Sequence, residues 1–150
     1  MAPMDVNLGR DTLIALAAVA WADGSMAPEE ADSLRSAAQQ LGLGPQDRNA
    51  IEDALTRRID PAEVETLRMN RPTRLFVYAA ATWMATVDGH VSREEEAVLR
   101  LLGDRLGLSG KARERARQSA LGAAASPGGR YDLLALRTRL ATGMGEVGDD

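Results

Sequence analysis

Asp23-Gly24-Ser25-Met26-Ala27-Pro28-Glu29-Glu30 returns 65 positions later (88 − 23) as Asp88-Gly89-His90-Val91-Ser92-Arg93-Glu94-Glu95. The register continues without a gap, through Leu34-Arg35 against Leu99-Arg100, to Leu41-Gly42-Leu43 against Leu106-Gly107-Leu108. Self-similarity at a fixed spacing marks a tandem repeat. Ahead of each Asp-Gly lies an apolar run, Leu13 to Ala22 and Leu75 to Val87, and behind it an acidic opening to an amphipathic segment. The unit is therefore helix, tight turn, helix. Glycine supplies the left-handed turn that ends the first helix, and the paired glutamates suit the positive end of the second helix's dipole.

Working outward, a first helix is expected over Arg10 to Ala22, after a loose lead-in from Met1 to Gly9. It is apolar on every side, as is the matching run from Leu75 to Val87 with Phe76, Tyr78 and Trp83, and a helix apolar all round is buried all round. The second helix starts at Pro28, tolerated in a first turn, and buries Ala31, Leu34, Ala38 and Leu41. Gly44-Pro45 opens a third, with Ile51 and Leu55 inward, and Asp60-Pro61 a short fourth, with Glu63 closing a capping box and Val64 and Leu67 inward. Pro72 is read as the break between the halves. In the second half, Ser92 begins a helix that buries Val98, Leu99, Leu102 and Leu106. Ser109 begins another, with Ala112, Ala116 and Ala120 inward and Lys111, Arg113, Arg115 and Arg117 outward. After a loop over 123–129, a last helix from Arg130 to Ala141 buries Leu133, Leu136 and Leu140. The expected fold is all-α, a single-domain bundle of seven to eight helices over residues 10–142. Two helix–turn–helix repeats, about 10–57 and 75–122, are related by a pseudo-twofold, and a disordered glycine- and acid-rich tail follows at 143–150. Leu16, Val19, Val77, Ala81 and Met84 are expected to be its most deeply buried residues.

Composition agrees with helices and bounds the chemistry. A chain of 150 residues is enough for one real core. Aromatics make up only 3% of it, and almost no stretch alternates with the period of two that a half-buried strand requires. The absence of cysteine excludes disulfides, thiolate nucleophiles and cysteine-based zinc sites, and a single histidine, His90, excludes histidine-rich metal sites. A formal charge of −4 argues against a general affinity for nucleic acid. Arg10, the run to Ala22 and Ala20-Trp21-Ala22 imitate a signal peptide, but a matching run lies in mid-chain and Asp5 and Asp11 spoil a positive leader. Neither run reaches the length of about 18 apolar residues that spans a bilayer. A cytoplasmic protein without membrane insertion is expected.

The repeated acids support two readings. As structure, Glu29, Glu30, Glu94 and Glu95 complement helix dipoles and close capping boxes, and Asp23 and Asp88 bond the backbone of their own turns. As chemistry, Asp, the Gly after it and the Glu six further on reproduce the second half of an EF-hand calcium loop. The first half fails, because Val19 and Trp21, or Met84 and Thr86, stand where that loop needs oxygen ligands. Neither turn alone can complete a hard-cation site. His90 reads as a solvent-facing loop residue, Trp21 and Trp83 as core, and the run from Lys111 to Arg117 as a solvated helix face.

An Ala-rich apolar helix, an Asp-Gly turn, a Glu-Glu helix start and a Leu-Gly-Leu end, occurring twice over about residues 10–122, resemble the TerB-like family of bacterial tellurite-resistance and stress proteins. The N-terminal domain of membrane-anchored, DjlA-type J-domain co-chaperones is similar. The resemblance implies a compact helical bundle with the four repeat helices central, and an acidic cluster that takes a divalent cation. By position the metal ligands would be Asp23, Glu30, Asp88 and Glu95, with calcium or magnesium as the ion and no other cofactor. Two departures stand out: Ala27 replaces the cap that Ser92 provides, and no further Asp precedes either Asp-Gly by two residues. The function expected is a binding or adaptor module in a stress response, with a protein partner, no catalytic residues and no nucleic acid. The alternatives are a carboxylate-based metal-dependent hydrolase, which needs the four acids converged on an open metal position, and a purely structural interaction domain.

Overall fold

The computed structural model of the chain describes residues 9–22, 24, 28–66, 69–86 and 92–124, with the backbone alone for residues 29, 30, 61, 86 and 121–124. The elements are helices α1 (Arg10–Ala20), α2 (Pro28–Gln40), α3 (Pro45–Thr56), a 3-10 turn (Pro61–Glu63), α4 (Arg71–Thr86), α5 (Arg93–Arg105) and α6 (Gly110–Ala124). Among the described residues there is no strand. Among the described residues the count is six α-helices rather than the expected seven to eight. One expected helix is reduced to the 3-10 turn, and that expected from Arg130 to Ala141 lies outside the described residues, as do the tail at 143–150, Leu67 and His90.

The two apolar runs pack against each other as the centre of the bundle. In α1 every residue from Thr12 to Ala20 is buried except half-buried Ile14, and in α4 so are Leu75 to Val77 and Ala79 to Ala85. The five expected core residues hold: Leu16, Val77 and Ala81 are 0% exposed, Val19 2% and Met84 3%. Around this pair α3 packs on α1 and α6 on α4. Each outer helix runs in the same direction as its inner one. Arg10 at the start of α1 reaches Asp47 near the start of α3 (3.4 Å), and Trp21 at its end donates from Nε1 to the Ala54 carbonyl near the end of α3 (2.8 Å). In the other half Arg74 donates to the Leu106 carbonyl just before α6 (3.0 Å), and Tyr78 lies within the field of Arg113 and Arg117.

The ends of α2 and α5 share one geometry. Gly42 and Gly107 take φ of 69° and 70°. The Leu43 N–H bonds the Ala38 carbonyl and the Gly42 N–H that of Gln39, as Leu108 bonds Gly103 and Gly107 bonds Asp104. These are Schellman motifs, which satisfy carbonyls a helix end would otherwise orphan.

Two boundaries differ from expectation for local reasons. Pro72 does not break the chain but sits in the first turn of α4, where its missing donor costs nothing, and the Asn70 side chain accepts the Thr73 N–H (2.9 Å) as the cap. The Asp60 box does form, with the Asp60 N–H donating to Glu63 Oε2 (2.9 Å) and the Ala62 N–H to Asp60 Oδ1 (2.8 Å). A helix does not propagate from it, because carbonyls of the following residues are engaged elsewhere. Val64 accepts from Arg105 (2.9 Å) and Thr66 from Arg74 (2.9 Å).

Leu16→Ala removes a fully buried side chain from the central contact and should cost about 2–5 kcal/mol through lost transfer energy and the cavity left behind. Denaturant unfolding of the variant against the parent chain measures this.

Candidate functional site

The end of the bundle where α1 stops and α5 starts carries a groove of about 460 Å³. Ala18 and Ala22 contribute from the end of α1, Ile59, Asp60 and Glu63 from the connection after α3, and Glu94, Val98 and Leu101 from α5. Its floor is apolar and its rim largely acidic. Leu101 is 53% exposed, the large hydrophobic side chain that the described surface leaves to solvent. Ile59, by contrast, is buried. The connection is held as a wall by its own capping box and by Arg57, which bridges Asp53 (2.7 Å) and Glu63 (3.2 Å). The Glu63 carboxyl is held below the usual carboxylate range, first by the Asp60 N–H and then by the Arg57 guanidinium.

Of the four acids picked out from the sequence, Asp23 and Asp88 lie outside the described residues. Glu30 stands in the first turn of α2, where only its backbone is described. Glu95 is in the first turn of α5, and it closes the capping box read from the sequence. Its N–H donates to Ser92 Oγ (3.1 Å), and its Oε1 accepts the Ser92 N–H (2.9 Å). Beside the first turn, Gly24 takes φ of 93° and donates its N–H to the Trp21 carbonyl (2.8 Å). Among the described residues no three His, Asp or Glu side chains converge as a metal site would require. The groove nevertheless joins the repeats, because Ala22, next to Asp23, and Glu94, next to Glu95, line the same space.

The basic run on α6 is not wholly solvated. Arg113 folds back over Gly103, donating to the Leu108 carbonyl (2.9 Å) and to Asp104 (2.8 Å). A Cβ on Gly103 would come within 2.8 Å of that guanidinium, so the glycine is what lets the arginine cross α5. Arg117 remains exposed beside Glu114 (3.7 Å). A second depression of about 350 Å³ between α2 and α3 is crossed by the forked pair of Arg35 and Glu52 (2.8 and 3.2 Å). Trp21 is half-buried, anchored through its ring N–H instead of enclosed as core.

Sequence reading missed the groove and Leu101. The available signal was that Leu101 is apolar yet falls outside the buried stripe of Val98, Leu102 and Leu106, which repeats every four residues.

A family model described as "Protein of unknown function (DUF533)" matches residues 6–120. The chain belongs to the DUF533 family. No curated protein and no solved structure matches it. The DUF533 match takes in both Asp-Gly turns and every described wall of the groove. No described helix of this DUF533 chain is long and apolar enough to cross a membrane.

Ser92→Ala deletes one half of the α5 capping box and should lower stability by about 0.5–2 kcal/mol in denaturant unfolding. Glu95→Gln keeps an oxygen acceptor for the Ser92 N–H and should cost less than Ser92→Ala.

Proposed function

We propose that this DUF533 chain is a TerB-like binding or adaptor module of a bacterial stress response. It acts in the cytoplasm on a protein partner, without enzymatic activity and without binding nucleic acid. Its two repeats are related by a pseudo-twofold, and its acidic turns take calcium or magnesium weakly through Asp23, Glu30, Asp88 and Glu95. The observation that carries the reading is that residues adjoining both acidic turns line one groove, Ala22 from the first repeat and Glu94 from the second. Two half-loops that each lack ligands need such proximity to share an ion, since hard divalent cations want six or more oxygens. Membership of DUF533 over 6–120 and the doubled Asp-Gly, Glu-Glu pattern favour the TerB-like reading. A second reading has its own support: Glu95 already bonds the Ser92 N–H, so the acids can serve as helix caps alone.

Titration with millimolar calcium or magnesium separates the two. On the adaptor reading the ion raises the melting temperature of the native chain, and raises it less in Glu30→Gln and Glu95→Gln. A ligand present at one hundred times its dissociation constant adds about 2.7 kcal/mol. If neither ion shifts the melt and calorimetry detects no heat, the acids are caps and the ion has no part.

A further inference from the structure

The ends of α1 and α3 meet at one side chain. The last bond of α3 runs from the Arg57 N–H to the Asp53 carbonyl (3.1 Å), because Arg57 itself turns extended, at φ −136° and ψ 151°. The Ala54 carbonyl is thus the first that the helix does not satisfy from within. Trp21 satisfies it from the end of α1, donating its ring N–H over 2.8 Å. The Trp21 carbonyl at the same time accepts the Gly24 N–H (2.8 Å) and closes the first turn, in which Gly24 is held at φ 93°. Arg58, Ile59, Asp60 and Glu63 leave the end of α3 as one wall of the groove, and Ala22, next to Trp21, lines the same space.

We propose that Trp21 is a positioning residue, a latch that fastens the first Asp-Gly turn to this wall, so that turn and wall open as one unit and a ligand bound at either is felt at the other. A part-buried carbonyl left without its donor is costly, so the turn does not part from α3 without loosening the point from which the wall issues. Coupling of this kind is reciprocal. The latch belongs to the first copy of the repeated sequence, since 65 positions on (21 + 65 = 86) stands Thr86, which carries no ring N–H. The two acidic turns are therefore unequal, and the groove depends on the first of them in a way it does not on the second. Use of the latch to sense an ion rests on the cation reading. The latch itself does not, and with no metal in the experiment the two fail separately.

Amide hydrogen exchange followed by NMR reads the opening of each bonded N–H on its own. Trp21→Phe keeps a ring at the end of α1 and deletes the donor. The expected result is exchange about tenfold faster at Gly24 and, by the same factor, at Ala62 and Glu63, whose N–H groups bond within the wall (2.8 Å each). Ala112 and Arg113 at the start of α6, both bonded to Ser109, should keep their rates. Glu63→Ala tests the link from the other end, since that exposed side chain bonds the Asp60 N–H and Arg57, both within the connection after α3. It should speed exchange at Gly24 severalfold in the parent chain and add nothing there once Trp21→Phe is present. Unchanged rates in Trp21→Phe, or a rise at Gly24 without one at Ala62 and Glu63, overturn the proposal and leave Trp21 a helix cap alone. An equal rise at Ala112 and Arg113 also overturns it, because the loss is then one of global stability. So does Glu63→Ala if Gly24 keeps its rate in the parent chain, whatever becomes of the Trp21 variant. A Glu63→Ala effect at Gly24 that is the same with and without Trp21 overturns it too, and assigns the coupling to the packing of the wall on α1.

Discussion

The contact between α1 and α4 is the constraint on which the rest depends. Both helices are alanine-rich, with Ala15, Ala17, Ala18 and Ala20 on one and Ala79 to Ala81 and Ala85 on the other, all buried. Small side chains let two backbones approach closely, and the bulk of Phe76 and Trp83, each 1% exposed, fills the space that remains. Because both helices are apolar around nearly their whole circumference, neither tolerates a face left to water. The other helices therefore need only one apolar stripe each. α6 meets that need with Ala112, Ala116 and Ala120, all 0% exposed, and α5 with Val98, Leu99, Leu102 and Leu106.

Where the chain is not helical, arginines replace the missing backbone ladder. Arg74 alone donates to the carbonyls of Met69 (3.1 Å), Thr66 (2.9 Å) and Leu106 (3.0 Å), binding the connection before α4 to the turn after α5. Arg105 holds the Val64 carbonyl and Arg113 that of Leu108. Part-buried carbonyls without partners are costly, and a planar guanidinium with five donors can meet several from one position. These bonds occupy carbonyls along the irregular connection before α4.

The acidic helix starts illustrate how one residue type can serve two ends. A carboxylate in the first turn of a helix stabilises that helix whether or not an ion arrives, and in α5 Glu95 does so through the Ser92 box. The ion site proposed above would therefore have a folded scaffold without the ion.

Sequence alone determined the helical class and most of the core, because these rest on local periodicity. Leu16, Val77 and Ala81 could be placed inside from the breadth of their apolar runs, and the Ser92–Glu95 box from its spacing, since both are properties of a single helix. Boundaries set by competition were not legible. Pro72 looks like a break until Asn70 is seen to cap the turn that contains it, and Asp60 looks like the start of a helix until Arg74 and Arg105 are seen to bond carbonyls after it. The crossing of Arg113 over Gly103 depended wholly on tertiary structure, and so did the degree to which Leu101, already off the buried stripe, meets solvent. Whether a side chain meets solvent or a neighbouring element is decided by what lies across from it, and for this groove the opposite walls come from residues 35 to 76 positions away in the chain (94 − 59 = 35 and 94 − 18 = 76).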